Sequence, residues 1–216
     1  MGKTNRSCKK FSKQGELILE RTLNYNEITK LIENNSKILD LGCGNGELFK
    51  KLSIEKNAYG VGIEINQDEA IKAIAKGISV IQGDLDHGLK QFEDKSFDYA
   101  ILNQTLQSTE KPDFVIDEML RVSKKAIVAF PNFAYWRIRF YLFFKGKMPK
   151  SKALPYEWYN TPNIHLNTVE DFFELCKNKN ITIIDSIYLA KNKARKGIFK
   201  PLANFFSEEA IFVLTK

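Results

Sequence analysis

The chain has 216 residues, 44% hydrophobic and 27% charged, with 33 lysines and arginines against 26 aspartates and glutamates for a net charge of +7. That length and apolar content suit one globular α/β domain with at most a small appendage, and no apolar run approaches the ~20 residues that span a bilayer. Cys8, Cys43 and Cys176 are scattered, with no CxxC and no Cys/His cluster. Neither a disulfide framework nor a metal site is therefore expected, and a reducing cytoplasm is the expected compartment.

In chain order, the start MGKTNRSCKKFSKQGE is basic and polar. It has no apolar run of the secretory kind, and Arg6 stands where a myristoylation signal has Ser or Thr. Residues 1–23 are expected to be a basic extension and residues 24–216 the folded domain. KILDL (37–41) reads as a strand that runs into a glycine cluster, and GELFKKLS follows as a helix. AYGVGIEI (58–65) is a second strand. QDEAIKAIAKG reads as a helix with Ile71, Ile74 and Ala75 on one face and Gly77 as its stop. ISVIQ (78–82), FDYAIL (97–102) and KAIVAF (125–130) are further strands. Between the last two, PDFVIDEMLRVS opens with Pro112 in the first turn, where a missing N–H costs nothing.

PNFAYWRIRFYLFFKGK predicts an amphipathic helix with Trp136, Phe140, Phe143 and Phe144 on one face, ended by Gly146 and Pro149. LPYEWYNTPNIHL (154–166) cannot continue it, because Pro155 and Pro162 each remove a donor. Residues 131–167 therefore read as an insertion after the fifth strand. Thr168 with Asp171 resembles a capping box for VEDFFELCK. ITIIDSIYL and EEAIFVLTK close the chain as two strands joined by a loop, and strands so joined are expected to be antiparallel. The sum is a doubly wound, mostly parallel sheet of seven strands. The charge excess gathers at Lys3–Lys13 and at Lys191–Lys196 with Lys200, read as a solvated tail and a lysine-rich loop. Nucleic acid is not an expected partner.

ILDLGCGNG carries the strongest chemical signal. Gly42, Gly44 and Gly46 follow a strand and open a helix, so backbone can approach a ligand without intervening Cβ atoms. A dinucleotide fingerprint would place its third glycine at 47, where Glu47 stands and would repel a pyrophosphate at the helix N-terminus. The loop suits a nucleoside without phosphates. S-adenosylmethionine or S-adenosylhomocysteine fits best, because a sulfonium and an ammonium tolerate carboxylates such as Asp40. Glu64 ends the second strand, twenty residues after Gly44, about where a carboxylate accepts both ribose hydroxyls. Asp84, past the third strand, is placed to meet the adenine amino group. Cys43, Ile65, Gly83, Leu85, Asn103 and Gln104 complete the expected binding set at the strand ends.

These features resemble the class I S-adenosylmethionine-dependent methyltransferases, whose Rossmann-like sheet ends in an antiparallel hairpin. IQGDLDHGL, FDYAILNQTLQ, EMLRVSKKAIVAFPNFAYWRIR, KMPKSKALPYEWYNTPNIHL and VEDFFELC narrow the likeness. Over about residues 24–190 the chain resembles the methionine biosynthesis protein MetW family, with Asn103 where that family more often has Ser. The resemblance implies a partnership with, or regulation of, homoserine O-acyltransferase (MetX) in methionine synthesis. A small-molecule methyltransferase with an unknown acceptor is the alternative.

No residue pattern compels a catalytic assignment. The Asn/Asp-Pro-Pro-aromatic signature of amino-methylating enzymes is missing where Asn103-Gln104-Thr105 stands, and His87 and His165 are each lone histidines. Trp136, Tyr156, Trp158, Tyr159 and His165 are the expected acceptor or partner surface. Trp, Tyr and Arg anchor interfaces, and an insertion leaving the fifth strand begins on the edge where α/β ligands bind.

Overall fold

The computed structural model describes residues 23–150, 156–191, 193–197 and 200–216. The expected basic extension lies almost wholly outside the described residues, as do Leu154 and Pro155 of the proline-bracketed loop.

β1 (Lys37–Leu41) and β4 (Phe97–Asn103) are near-continuous apolar runs buried on both faces, the pattern of central parallel strands. They pair in parallel with each other, with β2 (Tyr59–Glu64) and with β5 (Ser123–Pro131), and β3 (Val80–Gln82) pairs with β2. Parallel neighbours need crossovers. These are supplied by α2 (Glu47–Lys56), α3 (Gln67–Ala75) and α4 (Pro112–Val122), while α1 (residues 23–31) packs ahead of β1. Beyond β5 come α5 (Trp136–Lys145) and α6 (Val169–Asn178), then β6 (Thr182–Ala190), β7 (Lys193–Lys196), α7 (Lys200–Phe206) and β8 (Glu209–Thr215). The sheet order is β3-β2-β1-β4-β5-β8-β6-β7, with β8 antiparallel to both β5 and β6.

The expected architecture holds with one correction, eight strands among the described residues in place of seven. KARK, read from sequence as a lysine loop, is the edge strand β7. Its charged side chains belong on an edge, where they discourage pairing with another chain, and Ala194 packs against the core. The link to β8 also contains α7, which is short and buries Ala203 completely.

Alternation along the strands divides the core between the two faces. Phe130, Phe172 and Phe212 stack at 4.8–5.8 Å on the face covered by α4 and α6. Ile28 and Ile32 of α1 and Leu48, Phe49 and Leu52 of α2 cover the other. Thr168 and Asp171 form the expected capping box, and Pro112 sits in the first turn of α4. Asn132, 1% exposed, ties the start of the insertion down. Its Nδ2 donates to Asn204 O, Ser207 O and Ser207 Oγ, and its Oδ1 accepts from Ala134 N and Val169 N.

Two helical faces differ from expectation. α3 buries Ala70 and Ala73, leaving Ile71 and Ile74 each 55% exposed. The glycine loop presses so closely on α3 that a Cβ on Gly46 would stand 3.0 Å from that of Ala73, so only a small residue fits there. In α5 Ile138 is the buried residue, and the aromatic row Trp136–Phe140–Phe144 runs along the outside at ring spacings of 6.1 and 6.0 Å. Gly146 ends that helix in the left-handed conformation, as expected. Among the described residues no helix is long and apolar enough to cross a membrane.

Candidate functional site

The carboxyl ends of β1, β2, β3 and β4 gather the residues of the expected nucleoside site along one edge. After Leu41 the chain turns through Gly42, Gly44 and Gly46 at φ of 68°, 53° and 74°, values that glycine adopts at no steric cost. Gly42 has a second constraint, since a Cβ there would lie 2.5 Å from Thr105 Oγ1. The turn after β4 thus packs directly on the glycine loop. Gly42 N and Cys43 N both donate to Ile63 O, which fastens the loop to β2. A Cβ on Gly44 would meet nothing within 4 Å, so at this residue the loop faces open space.

Glu64 closes the arrangement. It is 8% exposed, and its carboxylate accepts from Gly44 N at 2.8 Å and from Asn66 N at 2.9 Å. One acidic side chain therefore bridges the glycine loop and the turn into α3. A carboxylate offers about four lone-pair directions, so two backbone bonds leave capacity for hydroxyl donors. Asp40 lies beside it at 2% exposure, and its Oδ2 has no partner among the described residues. Burial, with a further push from the Glu64 charge, raises its carboxyl to about 7. Such a group ionises readily once a cation arrives. Burial followed by Asp40 and Glu64 also raises the Cys43 thiol to about 12, and burial raises Cys176 to about 11, so neither thiol is a ready nucleophile near neutral pH.

Past β3, Gly83 N donates to Glu64 O, and Asp84 caps the single 3-10 turn Leu85–His87 by accepting from Asp86 N. His87 Nδ1 stands 3.3 Å from Asp84 Oδ2 on a largely exposed side chain. Asp86 reaches across to accept from Glu110 N and Lys111 N ahead of α4, a bracing role that its sequence position did not suggest. Leu85 is buried in the α4 face of the core, while Ile65 remains 64% exposed beside the Glu64 end of β2.

At the end of β4, Gln104 holds φ at 58°, uncommon for a residue with a side chain. Its N donates to Ala129 O, Gln107 Nε2 donates to its O, and its own Nε2 donates to Glu209 Oε2 at 3.0 Å. Asn103 Oδ1 is buried without a partner among the described residues. Nothing local in the sequence marks Thr105, Asn24 or Glu209 as part of this edge.

The aromatic set is arranged differently. Trp136 packs on Tyr135 and Ile138, whereas Tyr156, Trp158 and Tyr159 are 49%, 74% and 69% exposed. His165 is drawn in, because Ile164 N and His165 N both donate to Gln107 O, and its Nε2 lies 3.4 Å from Glu110 O. With Leu106, Pro112, Leu166, Phe172 and Leu175 it lines a mainly apolar cleft of about 350 Å³.

This sheet order is that of the Rossmann-like methyltransferase fold. The S-adenosylmethionine dependent methyltransferase of Mesorhizobium loti superposes with a TM-score of 0.66 at 16% identity, covering 92% of this chain and 100% of that one. The [4+2]-cyclase SpnF superposes at 0.61 with 18% identity over 88% and 80% of the respective chains. At such identities the likeness is one of fold.

Within that class the chain belongs to the MetW family, whose model, "Methionine biosynthesis protein MetW", matches residues 22–214. A relative from Rhodopirellula baltica, the bifunctional methionine biosynthesis protein MetXA/MetW, is 38% identical over 178 residues. The match takes in 77% of this chain and 29% of the relative, so the chain spans less than a third of that protein's length.

Proposed function

We propose that the chain is an S-adenosylmethionine-binding protein of methionine biosynthesis that acts with, or regulates, homoserine O-acyltransferase (MetX). The observation that carries the ligand is the carboxylate of Glu64. It ends β2 almost buried, clasps the glycine loop through Gly44 N–H, and sits beside the Asp40 carboxyl, whose Oδ2 has no partner among the described residues. That combination favours a ligand with hydroxyl donors at one point and positive charge at the next. S-adenosylmethionine has both, as ribose hydroxyls and as a sulfonium with an ammonium. S-adenosylhomocysteine keeps the hydroxyls and the ammonium. The Rhodopirellula relative joins MetXA and MetW in one protein, which supports MetX as the partner. Feedback is the logic of the pairing, because the bound nucleoside derives from the pathway's own product.

Calorimetry with S-adenosylhomocysteine tests the ligand, and copurification with a tagged homoserine O-acyltransferase tests the partner. Absence of binding at millimolar nucleoside would remove the first half of the proposal without touching the second. The 350 Å³ cleft beside Leu106 favours a second reading, transfer of a methyl group to a small acceptor. The fold leaves that open, since the [4+2]-cyclase shares it. Incubation with methyl-labelled S-adenosylmethionine and a metabolite extract distinguishes the two, because a purely regulatory subunit releases no labelled product.

A further inference from the structure

The surface of α5 is laid out by its 3.6-residue period. Trp136, Phe140 and Phe144 stand four apart in one row, about half a turn round the helix from the buried Ile138. The rows on either side mix cations with apolar groups, Arg137–Tyr141–Lys145 on one and Arg139–Phe143 on the other. Arg137 lies 5.4 Å from the ring centre of Trp136, and Arg139 lies 5.6 Å from that of Phe205. The second contact joins α5 to α7, where Leu202 and Phe206 are also exposed. Just past the end of α5, Lys150 pairs with Glu157, which brings in the loop that carries Trp158. An apolar centre with charged groups around it is the anatomy of a protein interface.

The charge on this surface is not offset. Between Asn132 and Tyr156 the sequence has Arg137, Arg139, Lys145, Lys147, Lys150 and Lys152, and no aspartate or glutamate. Elsewhere, α1 to α4 each match a cation with a carboxylate one turn away, through Glu27–Lys30, Lys51–Glu55, Glu69–Lys72 and Glu118–Arg121. Among the described residues, Lys150 is the only one of the α5 segment's cations that meets a carboxylate. This pattern disfavours two occupants. A second copy docking about a two-fold axis sets the same cations against each other. A membrane-surface helix keeps its charges on the face away from the lipid, whereas Arg137 sits against the Trp136 ring and would be drawn below the headgroups with it. A protein hollow with an apolar floor and carboxylates around its edge is the complement.

We propose that α5, with α7 beside it, is the face by which the chain docks homoserine O-acyltransferase, and that the acyltransferase receives it in an apolar groove rimmed by aspartates and glutamates. The inference rests on the partner reading above and deepens it by naming the face and the charge of what meets it. The rings hold the complex together, and the cations steer its encounter. Arg137, Phe143, Phe144 and Lys145 do not belong to the nucleoside edge, so ligand affinity is an independent control.

The test compares full-length wild type with Phe143→Ala/Phe144→Ala and Arg137→Glu/Lys145→Glu, with folding checked by thermal melting. Binding kinetics with purified homoserine O-acyltransferase are followed at low and high salt. The ring variant should dissociate faster, with affinity lower by about 30-fold or more. The charge-reversed variant should associate about 10-fold more slowly at low salt and lose most of the wild type's salt dependence. S-adenosylhomocysteine affinity should stay within about twofold in both. Folded variants that bind the acyltransferase like wild type overturn the inference and leave the partner reading standing. If such variants instead lose binding to vesicles of phosphatidylglycerol and phosphatidylcholine, the row serves a lipid surface. If they turn a dimeric wild type into a monomer, it serves a second copy. Wild type that does not bind the acyltransferase at all removes the partner reading, and the docking face with it.

Discussion

Replacing Glu64 by alanine separates a ligand-binding role from a purely structural one. The carboxylate makes two short bonds to backbone N–H groups, and both donors lose it together. Charge-assisted bonds of this kind contribute about 1.5–3 kcal/mol each in a buried setting. Here Gly44 faces open space, so water replaces part of the loss. Removing the charge also relieves the push that Glu64 exerts on Asp40. The net destabilisation should be about 1–3 kcal/mol, at about 2–4 °C in Tm for each kcal/mol in a chain of this size. Ligand affinity should respond separately. Loss of the ribose bonds costs about 1.5–3 kcal/mol, or roughly 10- to 150-fold in Kd for S-adenosylhomocysteine. Calorimetry and thermal melting on one preparation read both quantities. A variant that melts several degrees lower yet binds within twofold of wild type would refute the reasoning, because Glu64 would then be a clasp on the glycine loop and nothing more.

Asp40 gives a pH signature. Its carboxyl is raised from 3.8 to about 7 in the folded chain, so the unfolded chain releases that proton first as pH rises, and stability attributable to this group should fall between about pH 4 and 7 by at most roughly 4 kcal/mol. Asp40→Asn should flatten that part of the curve, and denaturant titrations at pH 5 and 8 measure it. Because a cationic ligand favours the ionised form, S-adenosylmethionine affinity in wild type should rise with pH up to about 7 and then level off. Gly60→Ala should abolish soluble expression or lower Tm by more than about 10 °C, since its φ is 143° and a Cβ would stand 1.9 Å from Ile38 O. Trp158→Ala should leave Tm within about a degree, because the ring is 74% exposed, yet weaken copurification with homoserine O-acyltransferase. Unchanged copurification would move the partner surface elsewhere.

What the sequence disclosed, and what it withheld, follows from how far each signal reaches along the chain. The glycine loop, Glu64 and Asp84 are short-range signals, each set by a strand end and the turn beside it, and they lie together as their spacing implied. The Asn24–Glu209 contact joins residues 185 positions apart, and Gln104–Glu209 joins residues 105 apart. No periodicity could pair them. Strand β7 was hidden for another reason, because Lys193, Arg195 and Lys196 are exposed edge residues that carry no apolar alternation. α3 and α5 show where periodicity misleads. An apolar stripe identifies a face but not what covers it, and in α3 the close approach of Gly46 selects alanines over the neighbouring isoleucines.

The row on α5 is the more consequential case. Phe143 and Phe144 are 81% and 70% exposed, with Arg137, Arg139 and Lys145 interleaved among the rings. Isolated exposed rings need no explanation, but a contiguous row does. The same helix begins four residues after Asn132, whose five hydrogen bonds fix the insertion to α6 and α7. The row is thus displayed from a braced base, and rigid aromatic groups lose little conformational entropy when they are covered. We propose that this braced aromatic row is a partner surface, and the MetXA/MetW relative is the reason to test homoserine O-acyltransferase first.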